Sequence, residues 1–345
     1  MVKYTHLIPE NIAPAGAHSI AVYKDTEKVC DIPLGRFTRP DGGKILSFGV
    51  FSDTHLDRIQ TDWDADEKLD HALSYLESHG CSFAAHCGDL VNAGFYKKAD
   101  GVNRYDPGQF DAYNTVREKH SIPIYGICGN HESYFQAITD NLPELKEYTG
   151  CDLYFSVEQG GCLFVFVGQP NGSTPMSRDA LQWLCETLEA NRNKRCFVFV
   201  HPDLSSGNPL GVYASNRLFE GWKHTAVFQR LLSHYKNTLL FHGHSHMMFE
   251  CQEDDVAANY TERDGFRSIH VPSLSRPCAI VGGKREKQDD KSYGYIVDVY
   301  DDCIVLNGID FVKSEPVPLG TYKINTPLQA VEAGTFTDST CVIVT

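Results

Sequence analysis

In the last third of the chain, Phe241-His242-Gly243-His244-Ser245-His246 puts two imidazoles, His244 and His246, one residue apart on a glycine turn after an apolar run. Such a pair can aim two ring nitrogens into one pocket, which is a metal-ligand arrangement. Alone it is weak, because a histidine in a chain of this size is more often packed or solvated than coordinating. Four upstream stretches add to it. Asp53-Thr54-His55 follows the run from Ile45 to Phe51, and Gly88-Asp89 follows Ser82 to His86. Gly129-Asn130-His131-Glu132 follows Ile122 to Ile127, and His201 follows Cys196 to Val200. Each β-type run thus stops in a carboxylate, amide or imidazole, the groups that hold hard and borderline cations.

The elements between these stops say where they meet. Leu69, Ala72, Leu73 and Leu76 recur at helical spacing, and predict a helix from about Asp64 to Ser78. Others are expected over Pro107 to Lys119, Ser177 to Ala190 and Thr225 to Tyr235, with Thr238 to Phe241 as the strand before the histidine pair. Leu153 to Val157 and Cys162 to Gly168 read as an antiparallel hairpin around Gln159-Gly160-Gly161. Strand, helix, strand at this spacing implies parallel neighbours, and in open sheets ligands bind beyond the carboxyl ends of the strands. Later strand candidates, Met247 to Cys251, Phe266 to Val271, Gly294 to Val299 and Cys303 to Asn307, are expected to complete a second sheet. The mixed-charge run Lys284 to Lys291 reads as a solvated hairpin loop, and the Gly-, Ser- and Asn-rich segment 203–221 as a long loop that could shape a substrate mouth.

Three units are expected: an N-terminal β-hairpin-like appendage over 1–43, a main domain over 44–312 and a C-terminal extension over 313–345. The first holds the β-type runs Ser19 to Tyr23 and Val29 to Leu34; the last ends in a short strand, Cys341 to Val344.

Composition removes several function classes. At 345 residues, 42% hydrophobic and 22% charged, the chain can bury a sizeable core. A net charge of −14 disfavours nucleic acid as a wrapped ligand, because polyanion affinity comes from neutralising phosphates with Lys and Arg. No apolar run is long enough to span a bilayer, and residues 1–6 lack a signal-peptide profile. The twelve cysteines contain no Cys-x-x-Cys pair, which fits reduced thiols and a cytoplasmic location, with no membrane partner.

Taken in order, Asp53-x-His55, Gly88-Asp89, Gly129-Asn130-His131-Glu132, His201 and Gly243-His244-x-His246 resemble the five motifs of the calcineurin-like metallophosphoesterase superfamily. The resemblance implies an α/β fold, a four-layer sandwich of two mixed β-sheets flanked by helices. It implies two divalent metal ions, with Mn²⁺ favoured over Fe, Zn, Ni or Mg. Asp53, His55 and His246 would bind one, Asn130, His201 and His244 the other, and the carboxylate of Asp89 would bridge them. Two close cations need many ligands and can lower the pKa of a shared water, giving a bridging hydroxide that attacks phosphorus. His131 would protonate the departing oxygen or stabilise the transition state, and Glu132 would support its loop. Glycines 88, 129 and 243 are expected to allow tight turns that bring the ligands inward.

Departures from the motifs narrow the branch. After Asp89 come Leu90-Val91-Asn92-Ala93-Gly94, which lack the Asp-Arg of protein Ser/Thr phosphatases and the Tyr of purple acid phosphatases. Ser52 to Leu56 and Gly88 to Val91 look closer to the phosphodiesterase-type branch. The expected activity is metal-dependent hydrolysis of a small phosphorylated substrate, a phosphodiester slightly ahead of a phosphomonoester. The rival is a structural or attachment protein carrying this domain as a module, docked to a larger assembly through its termini. His86 and His242 read as packed or turn residues ahead of partners that orient the ligands, and Arg276 as a candidate phosphate contact.

Overall fold

The computed structural model describes residues 6–9, 19–24, 27–37, 43–57, 64–92, 95–97, 103–105, 107–133, 146–147, 149–170, 176–202, 225–250, 259–263, 266–281 and 284–325. The expected loop at 203–221 and the strand from Cys341 to Val344 lie outside them.

Before the main sheets come β1 (His6–Pro9), β2 (Ser19–Lys24) and β3 (Glu27–Phe37), with β1 parallel and β2 antiparallel to β3. Then follow β4 (Lys44–Phe51), α1 (Ala65–Ser78), β5 (Ala84–His86), the small pair β6 (Phe95–Lys97) and β7 (Asn103–Tyr105), α2 (Pro107–Arg117), β8 (Ile124–Gly126) and α3 (Asn130–Ser133). Next come β9 (Tyr154–Gln159), β10 (Cys162–Val167), α4 (Arg178–Ala190), β11 (Arg195–Val200), α5 (Thr225–His234) and β12 (Thr238–His242). The rest is β13 (Tyr260–Arg263), β14 (Phe266–His270), β15 (Cys278–Val281), β16 (Lys284–Lys287), β17 (Tyr293–Tyr300), β18 (Cys303–Asp310), β19 (Glu315–Pro316) and β20 (Tyr322–Asn325).

Two large mixed sheets form. One runs β19-β18-β17-β4-β5-β8 with β20 also on β18; the other runs β13-β14-β12-β11-β10-β9. Both faces of each central strand are buried, so their side chains alternate between two apolar environments. Along β11, Phe197 and Phe199 point between the sheets, while Cys196, Val198 and Val200 face the helical layer. The aromatic members stack across strands: Phe164 on Phe197 at 5.0 Å, Phe166 on Phe199 at 4.7 Å and Phe199 on Phe241 at 5.2 Å. Phe48 of the other sheet meets Phe164 edge-on at 5.1 Å, in the favoured T-shaped geometry.

Each outer face carries helices, giving four layers. Leu69, Leu73 and Leu76 of α1 pack with Phe110 and Tyr113 of α2 and with Phe51 of β4. Leu181, Leu184 and Leu188 of α4 pack with Val227, Phe228 and Leu231 of α5 on the other sheet. The α4 start is capped by the Ser177 hydroxyl, which accepts the Ala180 N–H at 3.1 Å.

Four expectations change. The later strands do not all join the second sheet: β14 does, but β17 pairs antiparallel with β4, and β18 antiparallel with β17, so that both complete the first. Met247 to Glu250 is not a strand; Met247 makes one isolated bridge to Cys278, because the chain is already turning out of the histidine loop. Lys284 to Lys287 is a strand paired antiparallel with β15; the pairing uses backbone groups, and Glu286 and Lys287 keep their side chains exposed. Residues 315–325, expected in the C-terminal extension, run along β18 as β19 and β20.

Candidate metal centre

All five polar stops sit at carboxyl ends of strands, three on one sheet and two on the other. Parallel pairing of β4, β5 and β8 brings the Asp53, Asp89 and Asn130 loops side by side, and parallel β11 and β12 do the same for His201 and His244. The loops are then cross-tied. Asp53 and His55 donate backbone N–H bonds to Gly88 O and Asp89 O, both at 3.0 Å, and Gly243 donates to His201 O at 3.0 Å. Between the sheets, the His244 N–H donates to Asp53 Oδ2 at 3.0 Å.

Two donor clusters result, sharing Asp89. One is Asp53, His55, Asp89 and His246; the other is Asp89, His201 and His244, with donor atoms in each within 4.8 Å of one another. In the first, His55 Nε2 and His246 Nε2 are 2.9 Å apart, and His246 Nε2 is 3.1 Å from Asp53 Oδ1. In the second, His201 Nε2 is 3.2 Å from Asp89 Oδ2, 3.1 Å from His244 Nδ1 and 3.0 Å from Asn130 Oδ1. The amide of Asn130 thus joins the second cluster. All seven expected ligands are brought together, and each falls in the cluster its expected group named.

These residues fit divalent cations. Asp53 and His201 are 0% exposed, and Asp53 Oδ1 accepts no hydrogen bond from the described residues. An ionised carboxylate in that state needs a counter-charge. Burial, the largest single influence, would raise the Asp53 and Asp89 pKa values, but the surrounding imidazoles together, led by His246 at Asp53 and by His201 at Asp89, hold both well below the usual carboxylate range. Conversely, burial disfavours charge on His201, yet Asp89 pushes it up to about 9. The centre therefore favours positive charge beside its carboxylates, which cations supply. His55, by contrast, is driven well below the imidazole value by burial and by neighbouring His131. The Nδ1–H of His201 donates to Cys87 O at 2.8 Å, turning Nε2 toward the cluster.

The backbone at these ligands is unusual. Asp53, His55, Asp89, His244 and His246 all have positive φ, from 46° to 70°. The glycines act differently than expected. Gly88 alone has the left-handed backbone, with φ at 97°. Gly129 and Gly243 are needed because loops touch: a Cβ at Gly129 would lie 2.2 Å from Asp89 Oδ1, and one at Gly243 would lie 1.9 Å from Ser52 Oγ.

Glu132 is fully buried and is a clamp. Its Oε2 accepts N–H bonds from Asp89 at 3.0 Å and Gly129 at 2.6 Å, and its Oε1 accepts Val91 N–H at 3.0 Å. Burial and the Asp89 charge push its pKa up to about 8, against the pull of the Val91 and Gly129 donors. His86, driven down to about 3 by burial, is a second tie: its Nδ1 accepts Gly88 N–H and its Nε2–H donates to Thr54 Oγ1 at 2.9 Å. It holds loop backbone and touches no ligand side chain in these bonds. His242 packs its ring near His270, with centroids 5.6 Å apart.

His131 lies at the partly exposed edge of the centre. Its Nδ1–H donates to Asn92 O, its backbone N–H donates to Asp89 Oδ1 at 2.9 Å, and its Nε2 is 3.9 Å from Asp89 Oδ2. Asn92 was not expected to take part. Its Nδ2–H donates to Asp57 Oδ2 at 2.7 Å, and its Oδ1 accepts from Arg276 Nη2 at 2.8 Å. Asp57, two residues past His55, gives only that proximity as a signal, and the link from Asn92 to Arg276 crosses 184 positions.

Two carboxylates, four imidazoles and an amide, converging from both sheets of a four-layer sandwich, make a candidate dinuclear hydrolytic centre. The chain belongs to the calcineurin-like phosphoesterase family, whose profile matches residues 46–248, more than half of the sequence. Among solved structures, a dimetal phosphatase from Danio rerio is similar at 15% identity with TM-score 0.58, over 82% of this chain and 99% of that one. TT1561 of Thermus thermophilus matches at 11% identity and TM-score 0.42, over 70% and 98% of the two chains. YfcE, a phosphoesterase from E. coli, matches at 12% and 0.36, over 83% and 100%. The first likeness supports the fold, and the other two are too loose to carry an argument. No curated protein matches in sequence. Among the described residues, no helix is long and apolar enough to cross a membrane.

Proposed function

We propose that the chain hydrolyses small phosphoesters at a centre holding two divalent metal ions. The observation that carries this is the pair of donor clusters joined through Asp89. Asp53, His55 and His246 would hold one ion, Asn130, His201 and His244 the other, and Asp89 both. When bound, the pair of cations supplies an acidified water at neutral pH and draws off phosphoryl charge. Mn²⁺ is the first ion to test, because the donor set mixes imidazole, carboxylate and amide.

The remaining roles belong to the chain's own groups. His131, oriented by Nδ1–H donation to Asn92 O, directs Nε2 toward Asp89, and as the imidazolium it can give a proton to the departing oxygen. Glu132 keeps the Asp89 and Gly129 loops in register, and His201 is held in its ligating tautomer by Cys87. The Ser52 to Leu56 and Gly88 to Val91 motifs favour a phosphodiester as the first reading. A phosphomonoester is the second, supported by the Arg276 guanidinium beside Asn92.

The test compares bis(p-nitrophenyl) phosphate with p-nitrophenyl phosphate on chelator-stripped protein, with and without Mn²⁺. Manganese-restored turnover is expected for the diester ahead of the monoester. Two bound metals with no turnover of either ester would count against hydrolysis and favour a docking role.

A further inference from the structure

Burial locates the mouth of the centre. Asp53, His55, Asp89 and His201 are at most 1% exposed, whereas Asn92, Asn130, His131 and Arg276 are partly open to solvent. Among the described residues, these four and His244 mark the open side of the centre, where a substrate is expected to enter. Lys68 is no part of that side: it is 5% exposed and donates to Ser275 O at 2.9 Å, bracing the 273–276 loop. The same loop is fixed to the metal-binding backbone, since Ser273 Oγ–H donates to Asp53 O and the Arg276 N–H donates to Ser273 Oγ.

We propose that the Arg276 guanidinium is a specificity-determining group, holding the phosphoryl oxygen that a phosphomonoester has and a phosphodiester lacks. This rests on the hydrolytic reading of the same centre. A diester carries two non-bridging oxygens and one negative charge; a monoester dianion carries three oxygens and two charges. The third oxygen needs a donor of its own from the chain. Arg276 meets that need on three counts. It is permanently charged, its planar fork carries five N–H donors, and the bond from Nη2 to Asn92 Oδ1 positions the group. Asn92 is itself held, with its Nδ2–H on Asp57. The Asn92 backbone carbonyl also accepts from His131 Nδ1–H, so guanidinium and imidazole are both anchored on Asn92. Charge-assisted bonds of this kind are the strong ones, and bidentate pairing with phosphoryl oxygens is what the fork suits.

Arg276→Ala and Arg276→Lys test this in Mn²⁺-loaded protein carrying two metals per chain, using p-nitrophenyl phosphate and bis(p-nitrophenyl) phosphate. Both esters expel p-nitrophenolate, so any effect transmitted through His131 cancels in their ratio. The alanine variant is expected to lose about 10- to 100-fold in monoester kcat/KM, mostly through KM, with a smaller loss for the diester. The ratio of monoester to diester turnover then falls at least about tenfold, and lysine recovers part of it. An equal fall for both esters would make Arg276 a prop for Asn92 and overturn the proposal, as would an unchanged ratio. If the parent protein cleaves neither ester with two metals bound, the hydrolytic reading fails first and this inference with it. If it cleaves both and the ratio does not move, only the inference fails.

Discussion

Gly129→Ala is a one-carbon test of the centre. The added Cβ would sit 2.2 Å from Asp89 Oδ1 and 2.6 Å from Asp89 N, where ordinary contact begins at 3.4 Å. About 1 Å of movement is therefore required. Asp89 cannot move alone, because its N–H is held by Glu132 and its Oδ1 by the His131 N–H. If the Gly129 peptide moves instead, it drags Asn130, the next residue. Either way a metal donor is displaced by about 1 Å, several times the ~0.2 Å tolerance of metal-ligand distances. The expected outcome is less than one tightly held metal per chain, and at least about 100-fold lower turnover of p-nitrophenyl esters. The overpacking itself should cost about 1–3 kcal/mol of stability. Metal content by elemental analysis, initial rates at fixed Mn²⁺ and urea unfolding are the assays. Gly80→Ala is the control: with φ at 69° and no described atom within 4 Å of an added Cβ, it should lose about 1 kcal/mol through its backbone alone and match the parent in metal content. A Gly129→Ala protein with two metals and near-parental rates would refute the close-contact reasoning.

Four further outcomes are expected. Asp89→Asn should lose metal content and turnover together, since one carboxylate serves both clusters; full retention of both in a metal titration would remove its bridging role. His131→Ala should keep its metals yet slow turnover about 10²- to 10⁴-fold, most for poor leaving groups, and a series of substituted phenyl esters reads that slope. Glu132→Gln should lower stability by about 1–3 kcal/mol by urea unfolding, because an amide cannot accept at both ends and leaves at least one buried N–H unsatisfied. Glu77 accepts the N–H groups of Ser121 and Ile122 and the Ser121 hydroxyl on one oxygen, with His120 on the other. The Ser121 hydroxyl, opposed by partial burial and joined by His120, brings its pKa down to about 2 from 4.5. A lowered carboxylate pKa stabilises the fold above the unfolded value, and that contribution is lost as pH falls from about 4.5 toward 2. Partial exposure keeps it to about 1–2 kcal/mol, so parental and Glu77→Gln midpoints should differ at pH 7 and converge toward pH 3.

The convergence of the candidate donors was legible because each ends an apolar run, and a parallel sheet must deliver such ends to one place. Helix positions were legible for the same reason, as with Leu69, Leu73 and Leu76 on one face of α1. Pairing of β17 with β4 was not, because each run is apolar on both faces and period alone cannot say which neighbour it takes. The Arg276–Asn92 bond was invisible because it depends on two loops from distant parts of the chain meeting at the centre. The role of Gly129 was misjudged for a related reason: a glycine needed for a turn and one needed to make room for a distant carboxylate look alike in sequence.

The left-handed backbone at Asp53, His55, Asp89, His244 and His246 links folding to cation supply. For residues with a Cβ that conformation costs on the order of 1 kcal/mol each, less for Asp than for bulkier types. Five such positions together approach the whole net stability of an ordinary domain. A ligand bound only by the folded state raises stability with the logarithm of its concentration, so the midpoint of thermal unfolding should climb steadily with free Mn²⁺. A bound cation would thus offset strain that the loops at the strand ends carry, whereas the phenylalanine layers between the sheets are packed without any ion.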